Sequence, residues 1–283
     1  MTTTISNSIL KAQIKHLGAE LISLKSNQNK EYIWEGNPTF WGKHSPILFP
    51  IVGTLKNNIY LINGKQYQLN RHGFAREMEF ELIQKTPESA RFSLISTKET
   101  KKMYPFDFEL QICYSLKGNK LNIDFKVENK NEITMPFSIG AHPALALPGN
   151  FENYRLEFQQ DEILNYYLLE GGLISNNSVE LPLNNRQLGL KYQLFENDAL
   201  VFKTLKSNSI TILEKANPIV KVNFNEFPNL GIWTVQNGPF LCVEPWFGYS
   251  DTLTGYDDFS KKEGIRLLRK RETFESNYNL EVF

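Results

Sequence analysis

The chain has 283 residues, 41% of them hydrophobic and 13% aromatic, which is ample apolar material for a sizeable core. Lys+Arg and Asp+Glu both number 31, so no net field draws the protein toward nucleic acid or an anionic membrane. No stretch approaches the roughly 18–20 apolar residues of a membrane span, and "MTTTISNSILKAQIK" lacks the layout of a signal peptide, so a soluble cytoplasmic protein is expected.

Period-two alternation dominates the chain. "ARFSLIS" (90–96) alternates, and "TKETKKMY" (97–104), stopped by Pro105, follows as a short helix. "FELQICYSL" sets Phe108, Leu110, Ile112, Tyr114 and Leu116 on one face, and "KLNIDFKVEN" does the same with Leu121, Ile123, Phe125 and Val127. "IVKVNF" (219–224) repeats the pattern. Half-buried antiparallel strands give this signal, whereas helices space apolar residues three and four apart. Turn chemistry separates the runs: "NGK" at 63, "KGNK" at 117, "PGN" at 148, "EGG" at 170 and "QNG" at 236. The polar patch "SNNSVELPLNNRQL" (175–188) reads as a long loop, "DTLTGYDDFSKKEG" (251–264) as a helical turn or two, and "RLLRKR" (266–271) as the exposed face of a late strand. Many strands, few helices and no repeat or linker predict one all-β domain over 1–283, a large two-sheet antiparallel sandwich.

Cys113 and Cys242 both sit in apolar, strand-like runs, where cysteine behaves as a small hydrophobe, and no disulfide framework is visible. Nucleotide-binding, nucleophile-elbow and metalloprotease motifs are absent, and the four histidines (His16, His44, His72, His142) are too scattered for a preformed zinc site. No metal or other cofactor is expected.

Three islands combine ionisable groups with loop chemistry. In "NRHGFAR" (70–76), Arg71 and Arg76 bracket His72 and Gly73. "SIGAHPAL" places His142 between a small-residue run and a proline, with Gly140 and Pro143 as the means of turning it. "FLCVEPWFGYSD" (240–251) puts Glu244 in an apolar strand that Pro245 is expected to end at a cleft, because proline removes a ladder donor. Each has a plainer reading. His72 reads equally as a surface histidine paired with carboxylates, and His142 as a core histidine bonded to a carbonyl. Glu244 is harder to dismiss, since a buried carboxylate is costly without a partner.

Taken in order, "LGAELISLK", "YIWEGNPTFWGKHSPILFPIVG", "RHGFAR", "FSIGAHPAL", "NDALVFKTL", "FPNLGIWTV" and "LCVEPWFGYSD" resemble the aldose 1-epimerase (galactose mutarotase-like) superfamily, in its branch of LacX-like and hexose-6-phosphate mutarotase-like proteins. The resemblance covers nearly the whole chain and implies a galactose mutarotase-like β-supersandwich acting on a small-molecule sugar. It implies His142 as general acid and Glu244 as general base of an anomer-interconverting isomerase, with the carboxylate ionised and the imidazole protonated near neutral pH. It assigns His72, Arg76 and Asp198 to substrate binding. The sugar-phosphate branch implies an extra arginine after "FPIVG". Here "FPIVGTLKNN" offers only Lys56, with Arg71 as a further point charge, so an unphosphorylated hexose is the expected substrate. Glycoside hydrolysis would require a second catalytic carboxylate beside Glu244.

Overall fold

The computed structural model describes residues 1–255 and 258–283. The four alternating runs form strands Ser89–Ile95, Phe108–Lys117, Lys120–Asn129 and Asn217–Asn223. All four lie in one nine-stranded sheet, where Lys120–Asn129 pairs with both Phe108–Lys117 and the C-terminal strand Thr273–Val282. Their apolar faces, Ile112, Ile123, Phe125 and Val222 among them, are buried in the core, and their polar faces point outward.

The second large sheet has eight strands and packs its apolar face on the first. At this junction Phe247 meets Phe274 edge to face, with ring centroids 5.0 Å apart, and Phe227 bridges Phe125 and Phe247. Every ladder between named strands is antiparallel. A three-stranded sheet (Thr2–Ser6, Leu10–Lys15, Glu20–Ser26) leans on the nine-stranded one, where the Tyr114 hydroxyl donates to the Ala19 carbonyl.

The strand Phe240–Phe247 is central to the second sheet, and all eight of its residues are buried. Alternation sends Leu241, Val243 and Phe247 into the core between the sheets and turns Phe240, Cys242, Glu244 and Trp246 to the opposite face. Residues 32–53 cover part of that face: Trp34, Phe40 and Trp41 pack against Phe240 and Cys242. A cleft remains beside them.

The helix is Lys98–Met103. Thr97 and Thr100 cap it reciprocally, and it ends before Pro105. Of the 251–264 segment, Phe259–Lys261 forms a single 3-10 turn, and residues 256 and 257 lie outside the described residues. The basic run forms only a three-residue strand, Arg266–Leu268, before turning; Arg271 then pairs with Glu132.

Two expectations about strands are corrected. Residues 175–182 are not loop: Leu173–Pro182 is a strand, paired with Ile163–Glu170 at the edge of the eight-stranded sheet. Five successive residues of it, 176–180, are exposed, so no buried face imposes alternation on the sequence. Pro245 does not end its strand either, for a reason that bears on the site below.

Candidate active site

Glu244 and His142 face each other across two neighbouring strands. Ile139–Ala141 and Ala144–Ala146 both pair with Phe240–Phe247, in the registers Gly140↔Trp246 and Ala144↔Cys242. That register sets His142 directly opposite Glu244. The Val243 N–H donates to the Pro143 carbonyl at 3.3 Å, so residues 243 and 245 both direct their N–H groups toward this neighbour. Pro245 has no N–H to give, and Pro143 has none to return. The ladder therefore loses two donors on either side of one pair and opens there, while bonds beyond Pro245 carry the strand on to Phe247.

A cross-strand pair without mutual backbone bonds brings its side chains close. His142 Nε2 lies 3.2 Å from Glu244 Oε2, with the two residues 7% and 1% exposed. The His142 N–H donates to the Pro46 carbonyl, fixing the backbone. Trp41 stacks on the imidazole at 4.8 Å, and Trp233 and His72 approach edge-on at 5.8 and 5.7 Å.

Gly140 is corrected in role. It lies within a strand and has no left-handed φ, so it does not turn His142. Instead, a Cβ there would sit 2.5 Å from Trp246 Cδ1, and one on Gly231 would overlap the other end of the same indole. Two glycines on flanking strands thus form the floor on which Trp246 lies.

His72 and Gly73 are consecutive left-handed residues, with φ of 69° and 71°. Gly73 is required because a side chain would strike the Phe49 carbonyl. The His72 N–H donates to the Gly53 carbonyl, and its Nδ1 accepts the Gly53 N–H at 3.1 Å. A neutral ring accepting at Nδ1 carries its proton on Nε2. Arg71 Nε–H, also a donor, lies 3.2 Å from that Nε2. Arg71 and His72 thus sit edge to edge on the cleft wall. Arg76 braces the turn by donating to the Arg71 carbonyl at 2.9 Å. Asp198, left-handed at φ 76°, caps its own next amide and holds Oδ2 3.7 Å from Arg71 Nη1. Both side chains of that pair are substantially exposed, which places it at the rim and limits its strength.

These groups line one cleft of about 370 Å³, together with Trp41, Trp233 and Trp246. A larger cleft of about 490 Å³, beside the N-terminal sheet, is lined by Ser6, Lys11, Gln13 and Lys25 among others, with neither histidine nor carboxylate among its described lining residues. All six site residues read from the sequence (His142, Glu244, His72, Arg76, Asp198, Arg71) meet in the smaller cleft. Lys56 does not; its Nζ donates to the Leu253 carbonyl. His16 and His44 are elsewhere, against Thr3 and Glu20. Sequence reasoning missed Trp41 and Trp233. Their signal is rarity: the chain has four tryptophans, three line the cleft, and the fourth, Trp34, stacks behind it on Phe240.

Burial is the main force on the ionisable groups. It lowers the His142 imidazole to about 3, with Arg71 and Arg76 adding to the effect and the residue's own backbone opposing it. It pushes the Glu244 carboxyl well above its ordinary value, opposed by Arg71. His72 is likewise pushed well below, chiefly by burial and then by His142. Burial thus favours the uncharged form of both groups, against the imidazolium–carboxylate pairing that the sequence leads one to expect. Among the described residues, His142 Nδ1, Glu244 Oε2, Trp246 Nε1 and Arg76 Nε are buried without hydrogen-bond partners. Orphaned polar atoms are rare in folded proteins, and four in one cleft mark a place where a polar ligand completes the bonding.

An antiparallel supersandwich with a buried histidine–glutamate pair in an aromatic-walled cleft places the chain among sugar mutarotase-like folds. The chain belongs to the aldose 1-epimerase family, whose sequence model matches residues 1–276. It is 34% identical to the chromosomal protein LacX of Lactococcus lactis subsp. lactis, over 100% of this chain and 99% of that one. A solved galactose mutarotase related enzyme from Lactobacillus acidophilus superposes with a TM-score of 0.95 at 34% identity, covering 100% of this chain and 97% of that one. A galactose mutarotase-like protein from Lactobacillus casei ATCC 334 does so with a TM-score of 0.93 at 28% identity, each chain fully covered. Family and fold are those of mutarotase-type sugar epimerases. Among the described residues, no helix is long and apolar enough to cross a membrane.

Proposed function

We propose that the protein interconverts the α and β anomers of an unphosphorylated aldohexose by general acid–base ring opening and closure. The observation that carries this reading is the buried pair itself: Nε2 of His142 and Oε2 of Glu244 lie 3.2 Å apart in the cleft, and Oε2 has no hydrogen-bond partner. The ring oxygen and the anomeric hydroxyl are bonded to the same carbon, so one anomeric centre can engage both groups at that spacing.

The opening step starts from the form of the pair whose single proton is on the imidazole: Glu244 takes the proton of the anomeric hydroxyl while His142 gives one to the ring oxygen. The C1–O bond to the ring oxygen breaks and C1 becomes the aldehyde. The pair now stands as protonated carboxyl and neutral imidazole, the state that burial favours. After rotation about C1–C2, the carboxyl returns its proton to the aldehyde oxygen as the ring hydroxyl attacks C1 and gives its proton to His142. One shared proton thus runs both directions, and a matched pair of this kind supplies roughly 10²–10⁴-fold per group. Arg71, His72 Nε2–H, Arg76 and Asp198 hold the sugar's hydroxyls, with the tryptophans against its apolar faces.

Among the described residues, both arginines of the cleft already face a carboxylate, which supports an unphosphorylated substrate. Arg71 already faces Asp198, Arg76 faces Glu77 at 3.6 Å, and Lys56 is tied down outside the cleft. The test is the anomerisation rate of glucose, galactose and their 6-phosphates by polarimetry, each corrected for the spontaneous reaction. Acceleration of the free sugars is expected. Acceleration of the phosphates alone would overturn the substrate assignment, and none with any sugar would leave a carbohydrate-binding protein instead of an enzyme.

A further inference from the structure

One neighbour of the pair plays no part in the chemistry above. Cys242 stands two residues before Glu244 on the same face of the same strand, and Ala144, two residues after His142, is its cross-strand partner. A ring nitrogen of His142, the Cys242 sulfur and a Glu244 carboxylate oxygen consequently all lie within 4.8 Å of one another. All three residues are buried, at 7%, 0% and 1% exposure, and His142 Nδ1 and Glu244 Oε2 lack partners.

We propose that His142, Cys242 and Glu244 form a three-ligand site for a borderline-soft divalent cation of the zinc class, and that the bound cation inhibits the enzyme by occupying its acid–base pair. Nitrogen, sulfur and carboxylate oxygen are the donor types such an ion takes, at about 2.0–2.3 Å each. Ligands at that range around a tetrahedral ion stand roughly 3.3–3.8 Å from one another. The His142–Glu244 separation of 3.2 Å is already close to this, and the widest of the three separations, at most 4.8 Å, has about 1 Å to close. His142 and Glu244 line the cleft, whose water or a sugar hydroxyl would complete the shell. A thiol in the set selects against magnesium and calcium, which prefer oxygen alone. Among the described residues Cys113, half-buried on the other large sheet, belongs to no such three-ligand group and serves as an internal control.

The kinetic half of this inference rests on the anomerase reading; the spectroscopic half does not. Cobalt(II) is the probe, because a thiolate ligand gives it a near-ultraviolet charge-transfer band. The band is expected in the wild type and in Cys113→Ser, absent in Cys242→Ala and Cys242→Ser, and removed by a chelator. No band in the wild type, or an undiminished one in both Cys242 variants, overturns the site. Zinc is then expected to slow anomerisation reversibly while magnesium leaves the rate unchanged. Cys242→Ala should weaken zinc inhibition by at least the roughly 10–100-fold that losing even an outer partner of a metal ligand costs. A cobalt band without zinc inhibition overturns the inhibitory role. If the wild type accelerates no sugar, the anomerase reading fails and the cobalt band alone decides the site.

Discussion

Replacing Glu244 by glutamine tests chemistry and stability in one variant. The amide keeps the shape of a residue that is 1% exposed on a fully buried strand, so the cleft should survive. It removes the one group placed to take the anomeric proton. Losing a general base costs roughly 10²–10⁴-fold in rate, or about 2.7–5.5 kcal/mol of transition-state stabilisation. Stability should move the other way. The folded Glu244 carboxyl titrates well above its unfolded value because of burial, so the folded state binds more protons across that interval. Its contribution is intact below the unfolded value and is lost as pH rises toward the folded one, by about 1.4 kcal/mol for each pH unit between them at most. Glutamine has no such loss, so at neutral pH the variant should melt no lower than the wild type, and above pH 4.5 its stability should depend less on pH. Polarimetry of freshly dissolved α-glucose gives the rate, and thermal melts from pH 5 to 8 give the stability. A folded variant within about threefold of the wild-type rate would refute Glu244 as base. A lower melting temperature that falls more steeply with pH would refute the burial argument.

Three further outcomes follow from the same geometry. His142→Asn should lose a comparable factor, and the double variant with Glu244→Gln should be little worse than either single, because groups acting as a unit are strongly non-additive; additive losses would separate the two roles. The catalytic term, corrected for the spontaneous reaction, should stay flat from pH 5 to 7, since burial holds His142 at about 3 and a second proton reaches the pair only near there, removing its base. A fall with a midpoint near 6.5 would mean an unperturbed histidine governs the rate. Gly231→Ala should push Trp246 off its floor and lower stability by about 1–3 kcal/mol, visible in tryptophan fluorescence and thermal melts; an unshifted spectrum would contradict the packing described.

The nine-stranded sheet was legible because one of its faces meets solvent, so Lys120–Asn129 and Phe108–Lys117 print their burial as alternation. The site-bearing strand Phe240–Phe247 is buried on both faces and carries no such print. It was legible only through Glu244, the polar residue out of place in it. The edge strand Leu173–Pro182 failed for the opposite reason, its middle being exposed on both faces. Pro143 and Pro245 could be read as interruptions, but that they lie one residue from the same cross-strand pair depends on register, which no local pattern reveals. The pull of burial on the pair was hidden for a similar reason. Sequence shows that two groups of opposite charge can meet, whereas burial decides which charges survive.

The central claim is that the pair brackets one anomeric carbon, and a crystal structure with a hexose bound tests it most directly. The account predicts the ring oxygen and the anomeric oxygen within about 2.6–3.2 Å of His142 Nε2 and Glu244 Oε2, respectively. A sugar seated with its anomeric carbon turned toward the Arg71–Asp198 rim, beyond reach of both groups, would contradict it.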